Sequence, residues 1–412
     1  MILNISIDNY KGIRKKINIS CIASNKIKHL NNDVSRISSN VKVLKDICLI
    51  GSNASGKTSI LSAIETLQDF LLFPYRKKIT NDEEYTNFIK QMSPDDLKQF
   101  LININTLKLG EQNNMRNSDK TSICIELYIP KRKNNIAGIY TYTLLYNSNY
   151  RENGVLMEKL EYRKNFENKK SEIVCLGNNI IESEISTAVL YQNNKSKFQN
   201  IDDKIKYYES FFDEMIKHTS YLDSEAHIDL IEIFKKYDKR FIELCSIADS
   251  KIIDVTIDQN HKKPRILFWN SKVSYLNFSQ LSNGTKKTLI IGSIILEALD
   301  NNNLLLIDEI ELSLHQALVR FLVNLSTSSD SNHYSQLIFT THSPFIAFSM
   351  ANDQLYYINN AGKNYFVSNI SDAIKNGIIT KDKKPERAWL EDLLIKNPDK
   401  QKIMNFLNNK KF

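Results

Sequence analysis

Apolar and polar residues alternate near the start of the chain, where Ile5 and Ile7, then Ile17, Ile19 and Cys21, are set apart by polar neighbours. A period of two predicts strands with one buried face. Ile47–Ile50 is instead a continuous apolar run, as in a strand buried on both faces, and it ends in Gly51. From Thr58 to Leu72 the period changes, with Ile60, Leu61, Ile64, Leu67 and Leu71 at helical spacing. A buried strand, a tight turn and a helix therefore follow one another.

Residues 74–120 are polar with helix-like pieces, one of them N-capped by Ser93 ahead of Pro94. From 121 to about 192 the alternation returns in SICIELYI, IYTYTLLY, VLMEKLEY and STAVLY, which predicts an antiparallel sheet. Residues 202–248 read as helix again (YYESFFDEMIKH, then IDLIEIFKKYDKRFIELCSIA), either a buried helical pair or a protruding arm that recruits a partner. Two short strands, KIIDVTI and RILFW, come next. They are followed by a helix over 285–299, a strand Leu304–Ile307, a helix Leu314–Leu325 and a strand Gln336–Phe339. Such strand–helix–strand alternation implies a parallel sheet in a layered α/β fold.

Composition narrows the class. With 412 residues, 42% of them hydrophobic, the chain is ample for two or three domains and lies outside the disordered and disulfide-scaffold ranges. The net charge of +8 permits contact with nucleic acid without demanding it. Five scattered cysteines form no C-x-x-C pair, as expected of reduced thiols in a cytoplasm. No apolar stretch approaches the ~20 residues needed to cross a bilayer, and the N-terminus lacks the order of a signal peptide. A cytoplasmic protein without membrane contact is the expectation.

The chemistry begins at Gly51-Ser-Asn53-Ala54-Ser55-Gly56-Lys57-Thr58, which fits G-x-x-x-x-G-K-[ST] between a strand and a helix. Its glycines let successive N–H groups point at phosphate oxygens, and the helix N-terminus adds about half a positive charge. Lys57 is placed to reach the β- and γ-phosphates, and the Thr58 hydroxyl to ligate Mg²⁺. By itself the motif specifies only nucleoside triphosphate binding.

Three further elements follow in order. Leu304–Ile307 ends in Asp308 and Glu309; two acids at the end of a buried strand are costly unless they serve a cation or a reaction. Asp308 is the candidate Mg²⁺ ligand and Glu309 the candidate general base. Upstream, Ser282-Asn283-Gly284 opens a helix and offers a second anion site, which makes sense if it faces another subunit's nucleotide. Downstream, His342 in TTHSP ends a short strand, where it can bond a γ-phosphate or the attacking water.

This order, a phosphate loop, an LSxG-type signature, an Asp-Glu strand and a switch His, resembles the ABC ATPase superfamily. More narrowly, Asn9-Tyr10-Lys11-Gly12-Ile13, GSNASGKTS, LSNGTKK, DEIELSLH and TTHSP are similar to the "AAA family ATPase" proteins of bacterial abortive-infection and anti-phage defence loci. Those have ABC-type heads like the ATPases of structural-maintenance-of-chromosomes (SMC) proteins and overcoming-lysogenisation-defect (OLD) nucleases. The matching motifs fall in residues 1–65 and 280–345.

The resemblance implies an α/β fold: an ABC/SMC-type head with a mixed-sheet core, an antiparallel β subdomain and a helical insertion. The head would comprise 1–75 and 250–412, interrupted by residues 76–200 with the antiparallel strands and 201–249 with the helices. It further implies a head-to-tail homodimer, open to higher assembly, with two ATP and Mg²⁺ at the interface. One subunit would supply Asn53, Ala54, Ser55, Gly56, Lys57, Thr58 and Ser59, and the other Ser282 and Gly284. Asp308 and Thr58 would hold the metal, and Glu309, His342 and Lys57 would be catalytic. Lys11 to Arg14 would approach the nucleotide, and His315 would either cross the dimer or simply start a helix.

Two departures stand out. Asn283 replaces the second glycine usual in transporter signatures, and none of Gln91, Gln99 and Gln192 has the context of a Q-loop residue. Only 70 residues follow His342, fewer than the ~100 of an ordinary domain such as the metal-dependent nuclease of the OLD relatives. Glu386, Glu391 and Asp392 there form no Asp-x-Asp pair at a strand end. The expectation is a defence ATPase with a separately encoded nuclease or toxin effector, the tail completing the head or docking a partner. The alternative is an SMC-like repair or recombination ATPase acting on DNA through basic pieces such as Lys131–Lys133 and Lys235–Arg240.

Overall fold

A computed structural model gives the structure of the chain. It describes residues 1–78, 120–147, 155–180, 201–222, 230–258, 263–268, 276–328, 333–361 and 364–377, apart from residues 14, 28, 53, 134, 169 and 348. In chain order the strands are β1 (Ile2–Asp8), β2 (Ile17–Ser20), β3 (Val34–Arg36), β4 (Lys42–Leu44), β5 (Asp46–Gly51), β6 (Lys120–Ile129), β7 (Gly138–Asn147), β8 (Val155–Arg163) and β9 (Glu172–Ile180). They continue as β10 (Thr219–Leu222), β11 (Ile252–Asp258), β12 (Lys263–Phe268), β13 (Leu276–Asn277), β14 (Leu304–Ile307), β15 (Gln336–Thr341), β16 (Leu355–Ala361) and β17 (Asn364–Asn369). The α-helices are α1 (Lys57–Lys78), α2 (Ile201–Lys217), α3 (Leu230–Ala248), α4 (Asn283–Asn301), α5 (Gln316–Ser326), α6 (Pro344–Ala347) and α7 (Ile370–Lys375).

Two six-stranded sheets carry the fold, with orders β2-β1-β6-β7-β8-β9 and β10-β14-β15-β5-β16-β17. The first is antiparallel throughout. The second is parallel except for the β16–β17 hairpin. The expected α/β architecture with a mixed-sheet core and an antiparallel sheet is present.

Residue period explains both sheets. Every residue of β5, β14 and β15 is buried, so these strands read as apolar runs while their side chains still alternate between faces. Ile47, Leu49, Leu304, Leu306 and Ile338 join the core shared with α1 and the antiparallel sheet. Cys48, Ile50, Leu305, Ile307, Leu337 and Phe339 turn to the other side, under α4 and α5. Strand β6, in contrast, alternates buried with half-buried positions. The buried stripe of α1 (Ile60, Leu61, Ile64, Leu67, Leu71) packs in the core between the sheets. Phe211 of α2 stacks on Tyr142 of β7 with ring centroids 5.0 Å apart.

Two differences from the sequence reading concern how the pieces join. The antiparallel sheet includes β1, which pairs with β6, so the first strands and those after residue 120 form one sheet. The stretch 201–249 is not purely helical: Thr219–Leu222 between its helices is a strand, pairing in parallel with β14. Gln68 of α1 donates from Nε2 to the carbonyls of Met215 (2.7 Å) and Thr219 (3.0 Å), fixing that junction against the phosphate-loop helix. After His342 the chain adds β16 and β17 to the sheet, with β16 against β5, in keeping with the first of the two expectations for the tail. Gln336 ties the sheets together: its Oε1 accepts from Ile2 N–H at 2.7 Å, and its Nε2 donates to Leu44 O at 2.9 Å.

At Gly292 helices α3 and α4 nearly touch; a Cβ there would lie 2.6 Å from Leu244 Cδ1. No helix among the described residues is long and apolar enough to cross a membrane. The segments after Ser93, around STAVLY, and ERAWLEDLLI with Glu386, Glu391 and Asp392 lie outside the described residues, as do Gln91, Gln99 and Gln192.

Candidate functional site

Parallel strands present their C-terminal ends together, and in open α/β sheets ligands bind there. Strands β10, β14, β15 and β5 are adjacent and parallel, so the chain leaves them at Leu222, Ile307, Thr341 and Gly51 along one edge. The phosphate loop, the acidic pair and the switch histidine meet for that reason, though the sequence keeps them far apart.

The loop after β5 is shaped by left-handed backbone at Ala54 (φ 58°) and Gly56 (φ 103°). Gly51 is required for packing, because a Cβ there would come within 2.8 Å of the Ile358 carbonyl on β16. Lys57 begins α1, and its Nζ donates to the carbonyls of Gly51 (3.0 Å) and Ser52 (3.1 Å). Burial pulls the Lys57 ammonium down to about 8, against the opposing pull of Asp308, Glu309 and Glu311. Ser55 Oγ is buried with no hydrogen-bond partner. A buried orphan hydroxyl, a lysine and left-handed turns at a helix N-terminus fit a phosphate chain. Ser59 follows in the first turn of α1, and Asn53 lies outside the described residues.

Thr58 Oγ1 donates to Asp308 Oδ2 at 2.9 Å, joining the two expected metal ligands. The other carboxylate oxygen of Asp308 accepts from Thr340 Oγ1 at 2.6 Å, while Glu309 N–H donates to the same hydroxyl at 2.7 Å. The Asp308 N–H donates to Leu222 O at 3.0 Å, so strand β10 also holds this residue. Among the described residues no three or more His, Cys, Asp or Glu side chains gather as a metal site. A hydroxyl with a single carboxylate is the donor set suited to Mg²⁺, which keeps several waters and shares phosphate oxygens.

Glu309 stands in left-handed backbone (φ 49°). Its Oε1 lies 3.8 Å from His342 Nε2, both side chains being partly open to solvent. His342 is placed by its own backbone, whose N–H donates to Glu311 Oε1 at 2.5 Å. Glu311 Oε2 is buried without a partner. Burial, then the Lys57 charge, lowers the His342 pKa, and Glu311, Glu309 and Asp308 oppose that shift. A neutral imidazole facing Glu309 is therefore favoured.

The signature serine caps α4: Ser282 Oγ accepts from Thr285 N–H at 3.1 Å and pairs with Thr285 Oγ1 at 2.7 Å. These bonds stay within its own helical turn. A Cβ on Gly284 would sit 3.0 Å from the Ser313 carbonyl, so the signature packs against the loop that follows Glu309. His315 N-caps α5, accepting at Nδ1 from Ala317 N–H at 3.2 Å, the helix-start role. Lys11 Nζ donates to Ser62 Oγ at 3.0 Å, and the buried Tyr10 hydroxyl pairs with Thr66 Oγ1 at 2.8 Å. The Asn9–Ile13 turn is thus pinned to α1 one turn beyond the phosphate loop. Arg14 is outside the described residues.

Thr340, Glu311 and Leu222 also belong to the site. The first two fall within TTHSP and DEIELSLH, motifs that assign neither of them a role of its own, and Leu222 carries no motif signal. The one local hint is that β15, otherwise apolar at its centre, ends in two buried threonines.

Among solved structures, the chain is similar to the Smc head bound to the C-winged helix domain of ScpA (13% identity, TM-score 0.45), covering 91% of this chain and 99% of that one. It is also similar to the SMC head domain from Thermotoga maritima (10%, TM-score 0.42, covering 89% and 98%). A third similar structure is the Smc head with an extended coiled coil bound to the C-terminal domain of ScpA derived from Pyrococcus furiosus (12%, TM-score 0.42, covering 91% and 98%). No curated protein matches. Residues 177–348 match the family model described as "AAA domain, putative AbiEii toxin, Type IV TA system", a stretch that contains Ser282, Gly284, Asp308, Glu309 and His342 and leaves out the phosphate loop.

Proposed function

We propose that this chain is a Mg²⁺-dependent ATPase that works as a head-to-tail homodimer. The observation that carries the reading is the chain of contacts from Thr58 through Asp308 to Thr340 and Glu309, with His342 facing Glu309. Loop N–H groups and Lys57 would grip the β- and γ-phosphates of ATP. Thr58 and Asp308 would hold Mg²⁺, which supplies charge neutralisation on the phosphate oxygens. Glu309 would accept the proton of the water whose oxygen attacks the γ-phosphorus, as the bond to the ADP oxygen breaks. A neutral His342 would donate from one ring nitrogen to a γ-phosphate oxygen. Among the described residues, Ser282 bonds within its own helical turn and neither it nor Gly284 bonds to the phosphate loop of its own chain, which supports their serving a second copy's nucleotide.

The biological reading is a nucleotide-gated regulator in anti-phage or toxin–antitoxin defence, acting on a separately encoded effector. It is supported by the defence-type motif set and by the toxin description of the matching family. ATP turnover by the wild type, absent in Lys57→Ala, tests the catalytic part. Phage plating on cells carrying the wild type or Lys57→Ala, with the neighbouring gene present, tests the biological part. Hydrolysis stimulated by DNA, with binding that falls steeply with salt, would favour direct action on nucleic acid instead.

A further inference from the structure

We infer that Thr340 is the positioning residue of the hydrolytic centre, its single hydroxyl setting the metal carboxylate and the base together. The inference rests on the ATPase reading above. Thr340 is fully buried at the end of β15. Its Oγ1 donates to Asp308 Oδ1 at 2.6 Å and accepts from Glu309 N–H at 2.7 Å. Its carbonyl accepts from Ile310 N–H at 3.2 Å. Three consecutive residues after β14 are therefore oriented by one threonine on the neighbouring strand.

The geometry requires such a holder. Glu309 occupies left-handed backbone at φ 49°, a conformation that a non-glycine residue keeps only when its surroundings impose it. That backbone turn aims the Glu309 carboxylate at His342, while Thr58 and Thr340 hold the two Asp308 oxygens from opposite sides. Without the hydroxyl, the Glu309 amide loses its acceptor and the Asp308 carboxylate is held only from the Thr58 side. Nucleotide binding, which depends on the loop and Lys57, would be little affected.

The test compares Thr340→Val, Thr340→Ser and Thr340→Cys in the full chain, with ATP and Mg²⁺ titrated separately. The Val and Cys variants should lose about 10- to 100-fold in kcat, the rate equivalent of one hydrogen bond to a charged group. Their KM for ATP should stay within about threefold of wild type, and the Mg²⁺ concentration giving half-maximal rate should rise. The Ser variant should recover turnover to within about threefold. If Val does not fold, the Ser–Cys pair, which differs in hydrogen-bonding power and little in shape, makes the same comparison. Wild-type turnover in Val or Cys, or loss of turnover in a folded Ser variant, would overturn the inference. A wild-type chain that hydrolyses no ATP would instead overturn the ATPase reading on which it rests.

Discussion

Thr58 Oγ1 and Asp308 Oδ2 lie 2.9 Å apart although 250 positions separate them in the chain. The first residues of α1 and the end of β14 thus form one polar centre. The Thr58 side chain is exposed, so Thr58→Ala should change stability by no more than about 1 kcal/mol. It should raise the Mg²⁺ needed for half-maximal hydrolysis tenfold or more. Equilibrium unfolding and a Mg²⁺ titration of turnover check both halves.

Glu311 fixes the switch peptide through the His342 N–H. Glu311→Gln keeps an oxygen that can accept this bond, whereas Glu311→Ala leaves the amide without it. The Ala variant should therefore fall about tenfold or more in kcat, and the Gln variant markedly less, in steady-state kinetics. Equal losses would show that the charge of Glu311, rather than its bond to the switch peptide, governs turnover.

Glu158 tests an electrostatic claim away from the site. It is buried in the antiparallel sheet, and its Oε1 accepts from Tyr142 OH at 2.8 Å. Burial raises its pKa to about 7, partly offset by that bond. Between about 4.5 and 7 the folded state holds a proton that the unfolded state has released, so the contribution of Glu158 to stability falls as pH rises through this window. Glu158→Gln should remove that loss and stabilise the protein at pH 8 by on the order of 1–3 kcal/mol, with a much smaller effect at pH 5. Denaturant midpoints at the two pH values check it.

Gln68 holds α1 to the last turn of α2 and the start of β10 through the carbonyls of Met215 and Thr219. Gln68→Leu leaves both without their partner and should cost about 1–3 kcal/mol. Because β10 lies beside β14, the same variant should lower ATP turnover. Urea unfolding and hydrolysis rates measured on one preparation check the coupling.

Much of this was legible in the chain, and the limits have physical causes. The phosphate loop is contiguous, and β5 and β14 are buried on both faces, so each leaves an apolar run ending in its functional residues. Amphipathic α2 and α3 show their period equally plainly. Strand β10 does not, because TSYL is too short to display a period and owes its state to pairing with β14. The asparagine-rich β16 and β17 likewise become strands by pairing, the first against β5. Thr340 and Glu311 lie inside TTHSP and DEIELSLH, but their individual roles were hidden for a related reason: each acts through a bond to a residue 31 positions away, which no local pattern encodes.

The central claim is that two copies close over nucleotide, each completing the other's site with Ser282 and Gly284. Glu309→Gln removes the proposed base and leaves the proposed binding residues Lys57, Thr58 and Asp308, so it should hold ATP without turning it over. Multi-angle light scattering of this variant with saturating ATP and Mg²⁺ tests the claim most directly. A dimer of about twice 47.7 kDa that returns to monomer when ATP is withheld is the predicted result; a species that stays monomeric with ATP bound would contradict it.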